Sequence, residues 1–372
     1  MKAFWKLLGI LLCVLLLTGC WDYQGLNQQT IVVGLAVDME EEDVLNLTFE
    51  ILDLNAFDGG GFTSLLLETQ GKTLIEAIHK VGSLLHNNVY LGTLDVLIIS
   101  EEVARTRGIG DIIFQLTREQ NVRNSMQVLV AGTHTAAELL KGASDGQESA
   151  GTILSTTLGE SLNQGERGGL STTDPKALFE AFNALQGQWV NFTVPIIIKG
   201  AAEDIPFSLG GLAIFRDSYM VGTLGQEEMP LYLLATNRVH GMVLPLEIQG
   251  ERVVAYILSS RRNLDGRQVG DNLHFHLDVS LSVKLLSLPT QWEQYEPWVQ
   301  RELEGQVAEE IGTFIRQVQE MGEDILGFST HMQGHHPRLW EKREGHWETY
   351  FQNAQVSLTV EVAIRDFGMI GG

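Results

Sequence analysis

The chain has 372 residues, 44% hydrophobic and only 19% charged, a length and apolar content that call for two or three packed cores. Its 47 acidic side chains against 25 basic ones give a formal net charge of −22, which argues against nucleic acid and against an anionic lipid surface as partners held through a basic patch. Its two cysteines, Cys13 and Cys20, both stand near the start, so the rest of the chain has no disulfide and no cysteine-based metal site.

Lys2 and Lys6 come first, then an almost unbroken apolar run from Leu7 to Leu17. A charged start and an apolar run of this length form a secretory signal, too short to span a bilayer comfortably. Leu17-Thr18-Gly19-Cys20 fits the bacterial lipobox. Cleavage between Gly19 and Cys20 removes residues 1–19, Cys13 among them, and leaves Cys20 carrying diacylglycerol as the new N-terminus. Two acyl chains, each gaining about 0.8 kcal/mol per buried methylene, meet the usual need for stable anchoring. Trp21 and Asp22, just past the lipid, are either a contact to a membrane partner or a short tether. The expectation is an exported, membrane-tethered bacterial protein.

Residues 30–38, TIVVGLAVD, read as a buried strand, and the acidic run Glu40-Glu41-Glu42-Asp43 as a solvated turn. The alternation of Leu45, Leu47, Phe49 and Ile51 then predicts a hairpin with one buried face. Gly59-Gly60-Gly61 breaks the pattern. After a β-like piece, Leu74, Ile78, Val81 and Leu85 place an apolar stripe on a helix. An apolar strand (94–100), a helix or helix pair, a strand (125–132) and a short helix follow, an alternation that suggests helices layered on a sheet. Residues 142–172 are rich in Gly, Ser and Thr and read as a long surface loop. A helix at 175–186, a strand at 192–198, a hairpin at 209–224 turning at Arg216-Asp217-Ser218, and strands at 252–258 and 274–286 come next. Val299, Leu303, Val307, Ile311, Ile315 and Val318 then mark a long amphipathic helix, and an alternating strand at 354–364 closes the chain. The fold class is α+β: three mixed α/β domains, the last with the long helix and terminal strand. The expected limits are 20–190 (N-terminal α/β), 191–268 (middle, β-rich) and 269–372 (C-terminal α+β), after the signal at 1–19.

No catalytic constellation stands out. There is no G-x-S-x-G elbow and no P-loop, and no G-x-G-x-x-G follows a strand. His274 and His276 share one face of a strand, and His331, His335 and His336 form a second group. Neither has a third ligand at a recognisable spacing, so packing or surface roles are expected, with no metal and no cofactor other than the diacylglycerol. Trp298, Trp340 and Trp347 read as large core pieces, each N–H bonded to backbone, rather than as a stacking site.

The stretch LTGCWDYQGLNQQTIVVGLAVD, with Cys20-Trp21-Asp22, Leu26-Asn27 and Asp38, resembles the start of the spore germinant receptor C-subunit lipoproteins, the Ger(x)C family. The likeness continues through residues 71–113 and 210–224. It is most specific at EDILGFSTHMQGHHPRLWEKREGHWETYF, where Asp324, Gly327, Phe328, Pro337, Trp340, Trp347 and Phe351 keep the family's order. Tyr23-Gln24 stand where the family usually has a basic pair, which puts a headgroup contact there in question. The resemblance implies a non-enzymatic, lipid-anchored subunit on the outer face of the spore inner membrane. It would act with polytopic A and B subunits, which bind the small-molecule germinant, in assembly or signal coupling. Trp21, Asp22, Asp324, Gly327 and Phe328 are then the candidate motif contacts, and Cys20 the lipidation site. The alternatives are a lipoprotein solute-binding protein of an importer, which would need two similar lobes, and a tethered hydrolase.

Overall fold

A computed structural model describes residues 29–41, 43–53, 64–119, 121–132, 135–143, 149, 153–154, 176–188, 191–200, 207–239, 241–289 and 296–366. Cys20, Trp21, Asp22, the triple glycine and almost all of the 142–172 loop lie outside the described residues.

The first sheet starts with β1 (Gln29–Glu41), β2 (Val44–Leu52) and β3 (Ser64–Gly71), an antiparallel meander. Helix α1 (Leu74–Leu85) leads to β4 (Asn88–Tyr90) and β5 (Val96–Ser100), both parallel to β1. The expected helix pair is α2 (Glu101–Thr106) and α3 (Gly110–Arg118), then β6 (Gln127–Ala131), α4 (Ala136–Ala143) and α5 (Leu178–Asn183). Then come β7 (Asn191–Lys199), β8 (Phe207–Arg216) and β9 (Tyr219–Leu224). The order is β3-β2-β1-β5-β6-β7-β8-β9, with β4 beside β1. β1, β5, β6 and β7 run parallel, and their near-continuous apolar sequences suit strands covered on both faces. One face packs on α1, α2, α3 and α5, the other on α4.

The second sheet is β10 (Met242–Ile248), β11 (Glu251–Val269), β12 (Asn272–Ser287) and β13 (Gln355–Asp366). It is antiparallel except for β13, which runs parallel to β12. Between β12 and β13 the chain forms α7 (Glu296–Met321), α8 (Phe328–His335), α9 (Pro337–Trp340) and α10 (Trp347–Gln352); α6 (Met229–Thr236) precedes β10. The stripe expected on the long helix is buried on this sheet, and Glu304 on that helix accepts from the Val362 N–H of β13 at 3.1 Å.

The mixed α/β class stands. The strands of residues 191–268, expected as a middle β-rich unit, form no sheet of their own: β7, β8 and β9 complete the first sheet, and β10 and β11 begin the second. The reason is in β8, whose alternate side chains serve two cores. Ala213 and Phe215 join the first core, while Leu212 and Ile214 join the core of α6, α7 and the second sheet. Gly211 makes this possible: its φ is +132°, and a Cβ there would lie 2.0 Å from the Leu224 carbonyl oxygen.

Asp38, at the end of the first apolar strand, is buried and accepts from the backbone N–H groups of Ala136 (2.8 Å) and Ala137 (2.9 Å) at the start of α4. Burial raises its pKa despite these two donors, and the nearby Glu138 and Glu102 add to the rise. A carboxyl whose folded pKa lies above its unfolded value of about 3.9 contributes stability that is complete below that value and is lost as pH rises through the folded one. Chemical denaturation across that window is expected to show stability falling with pH. Asp38→Asn is expected to reduce the slope without abolishing it, because burial raises Asp95 and Glu323 with the same sign. A slope unchanged in D38N would rule out Asp38 as its source.

Candidate functional site

The residues of the expected C-terminal motif meet where the two sheets join. α7 ends at Met321, Gly322 turns the chain with φ +75°, and Glu323 and Asp324 follow at the junction. Asp324 is 2% exposed. One of its oxygens accepts from the Phe328 N–H at 3.0 Å, the other from the Ser329 N–H at 2.5 Å and from the Trp347 indole N–H at 3.0 Å. Asp324 therefore caps the first turn of α8 and ties that helix to α10. Gly327 contributes conformation rather than contact: its φ is +77°, and this turn returns α8 toward Asp324. Phe328 is fully buried, edge-on to Phe275 with ring centroids 4.7 Å apart and tilted against Phe351 at 5.6 Å.

From the first sheet, Asn191 at the start of β7 accepts from the Asp324 N–H at 2.9 Å and donates to Glu323. Arg216, at the end of β8, grips the Glu323 carboxylate with two nitrogens and reaches Glu348 of α10 at 3.1 Å with the third. The hairpin turn that presents Arg216 has Asp217 at φ +54°. Burial raises the Glu323 pKa in spite of Arg216, because its side chain is only 9% exposed. Arg216 is 36% exposed; burial works against its charge, but Glu323 and Glu348 together raise its pKa. The pair thus binds the two sheets through one charged contact and costs the carboxylate more than the guanidinium.

Beside this latch lies a cavity of about 240 Å³ whose wall includes Lys176, Asn191, Tyr232, Arg238, Arg262 and Asp324. The Tyr232 and Thr193 hydroxyls are 3.0 Å apart within it.

Asp324, Gly327 and Phe328 are thus brought together, whereas Cys20, Trp21 and Asp22 lie outside the described residues. Trp347 is core as expected, but its N–H goes to a carboxylate instead of backbone; the buried acid that caps α8 is the stronger acceptor. Trp298 and Trp340 are half-buried against the same core. His274 and His276 share the open face of β12, where His276 pairs with Asp278 at 2.8 Å and with the Ser357 hydroxyl at 2.7 Å. His331 stacks on His335 at 4.3 Å, and burial, with His335 and His336 close by, pushes its pKa down. Among the described residues, no group of three or more His, Cys, Asp and Glu side chains is placed to hold a metal ion. Sequence reasoning missed Asn191, Arg216, Glu323 and Arg262, none of which carries a local pattern.

Residues 22–199 match the family profile of the spore germination protein N-terminal domain, and residues 210–368 match that of the spore germination B3/GerAC like C-terminal domain. The chain belongs to the spore germinant receptor C-subunit family. Spore germination protein A3 of Bacillus subtilis is 24% identical, with 98% of each chain covered, and spore germination protein B3 of the same organism is 22% identical over the whole of both. The crystal structure of the GerBC protein aligns with a TM-score of 0.61 at 17% identity, covering 92% of this chain and 99% of that one, and shares its mixed α/β fold. The family consists of germinant receptor subunits and is not a family of known enzymes, and the chain's role is in spore germination. Asp324, Gly327 and Phe328 lie within the matched C-terminal domain, and Asn191 within the N-terminal one, so the latch joins the family's two domains.

Proposed function

We propose that this chain is the lipid-anchored C subunit of a nutrient germinant receptor, held by diacylglycerol on Cys20 at the outer face of the spore inner membrane. It acts without catalysis, coupling or assembling the polytopic A and B subunits that bind the germinant. The full-length match to both family domains carries this reading, and the lipobox ending at Cys20 supports the anchor. Among the described residues no helix is long and apolar enough to cross a membrane. The latch supports a coupling role, since it lets the two sheets respond together to a partner bound at either one. The solute-binding alternative calls for two similar lobes, whereas among the described residues one sheet has nine strands with a parallel centre and the other four, mostly antiparallel.

Spores of the host strain lacking this gene are expected to lose dipicolinate release in response to one class of nutrient while a non-nutrient trigger still works. Cys20→Ala is expected to move the chain out of the membrane fraction and to give the same selective defect. Unchanged responses across the nutrient panel in the deletion strain would overturn the receptor reading, and a Cys20→Ala chain that stays in the membrane fraction would overturn the anchor.

A further inference from the structure

Arg343 is a charged side chain folded into the molecule without a counter-charge. It stands on the turn between α9 and α10, is 8% exposed, and lays its guanidinium over the Tyr350 ring of α10, 4.7 Å from the centroid. The ring face holds the planar group in one orientation but takes none of its in-plane N–H donors. Nε is buried with no hydrogen-bond partner, and among the described residues no carboxylate or carbonyl accepts from either Nη. Both Nη nitrogens, unlike Nε, keep contact with the surface. Arg216 shows the ordinary outcome, since Glu323 and Glu348 of this same chain take its nitrogens. An unmet donor of a charged group marks a place where an acceptor belongs. Arg338 and Lys342 are nearby in sequence, both exposed and neither in an ion pair. Glu341 and Glu344 share the stretch, but no ion pair joins either of them to these three cations. Half-buried Trp340 and Tyr350 lie among them, and aromatic residues with arginine are what the centre of a protein interface concentrates.

We propose that the surface around α9 and the start of α10 docks an acidic segment of a partner protein. One of its carboxylates takes the paired N–H groups of Arg343, and Arg338 and Lys342 draw in the others. A carboxylate matches the guanidinium fork with two parallel bonds, and Tyr350 has already fixed the fork, so little side-chain freedom is lost on binding. Three cations spread along 338–343 address several carboxylates at once, which a single small anion does not offer. A lipid headgroup layer is held by clusters of about four to eight basic residues, whereas this stretch has three with two acids among them. The docked segment would rest on α10, whose Trp347 bonds to Asp324 and whose Glu348 reaches Arg216. A partner held here is therefore in direct contact with the helix that closes the latch. The choice of partner rests on the receptor reading, in which a membrane subunit supplies the acidic segment; the contact chemistry does not.

The test is zero-length carbodiimide cross-linking in membranes from spores of the host strain, which joins the Lys342 amine only to a carboxylate in contact with it. Mass spectrometry of the cross-linked peptides is expected to show Lys342 bonded to an Asp or Glu side chain of another protein. Arg343→Gln is expected to lower the yield of that link about ten-fold or more, with the purified variant keeping the circular dichroism of the unaltered chain. Should Arg343→Gln fail to fold, Arg338→Glu at its exposed position decides, with a loss of the link again expected. A link to a polytopic subunit supports both the contact and the receptor reading, and a link to any other protein keeps the contact but overturns that choice of partner. Lys342 links confined to this chain and its copies, no link at all, or a link that loss of Arg343 leaves unchanged overturn the proposal.

Discussion

Asp324→Ala is expected to cost about 3–5 kcal/mol of stability, the range for removing one partner from a buried charged network. The substitution leaves three donors, the backbone N–H groups of Phe328 and Ser329 and the Trp347 indole N–H, buried without their acceptor. It also removes the negative charge at the start of α8, where the helix dipole favours it. Asp324→Asn keeps the shape and one acceptor oxygen but turns an amide toward N–H groups, so a loss of about 1–3 kcal/mol is expected. Chemical denaturation followed by tryptophan fluorescence measures both, since Trp347 lies tilted against Trp340 with ring centroids 5.2 Å apart and reports on the site. A loss below about 1 kcal/mol for D324A would show that water replaces the carboxylate at little cost, and the capping account would then fail.

Phe328→Ala is expected to cost a similar amount, about 3–5 kcal/mol, for a different reason. Phe328 is fully buried between Phe275 of β12 and Phe351 of α10, and removing the ring opens a cavity that three separate elements would have to close. Those neighbours are held independently: Phe275 by strand pairing, and the end of α10 by Gln319, which donates to the Phe351 and Ala354 carbonyls at 2.8 and 2.9 Å. The site therefore collapses poorly, which places the cost toward the upper end of its range. Phe328→Leu restores most of the volume and should recover more than half of the loss, with midpoints compared at constant denaturant slope. If Leu and Ala are equally damaging, edge-to-face ring geometry rather than filled volume governs the position.

Much of the fold was legible where one face of an element is buried and the other is wet. On α7, Val299, Leu303, Val307, Ile311, Ile315 and Val318 are all 2% exposed or less, as their spacing predicts. The logic fails where that contrast is missing. α6, with the sequence MPLYLLAT, is apolar on nearly every side and shows no period, because it is enclosed between the two units. Residues 259–269 of β11, SSRRNLDGRQV, carry no apolar alternation in sequence, with Leu264 alone packed against the core among their large apolar side chains. They are a strand because β12 pairs with them across the Gly270-Asp271 turn, from Val269↔Asn272 back to Ser259↔Ser282, a hairpin partnership that the composition of this run alone does not encode. The latch was hidden for the same reason. Asn191, Arg216 and Glu323 meet across separations of 107 and 132 positions, and each taken alone is an ordinary polar residue. Asp324, Gly327 and Phe328 were visible only through the family likeness, which marked the positions but not the capping, the turn and the aromatic wedge that occupy them.

The double allegiance of β8 bears on how this protein can diverge. The border between the two family domains falls between residues 199 and 210, yet β7 and β8 on either side of it pair from Asn191↔Arg216 to Lys199↔Phe207. A recombination event at that border would graft a foreign β8–β9 hairpin onto the native parallel sheet. Its odd and even side chains would then have to fit two unrelated interiors at once. A crossover after β9, among residues 225–228, would keep the hairpin with the sheet it completes, leaving the contacts of Leu212, Ile214 and Leu224 with the second core and the bonds of Asn191 and Arg216 to Glu323, Asp324 and Glu348 to be matched. Intact strand pairing is therefore kept at a point the domain border does not mark, and β8 ties the two domains into one packed unit.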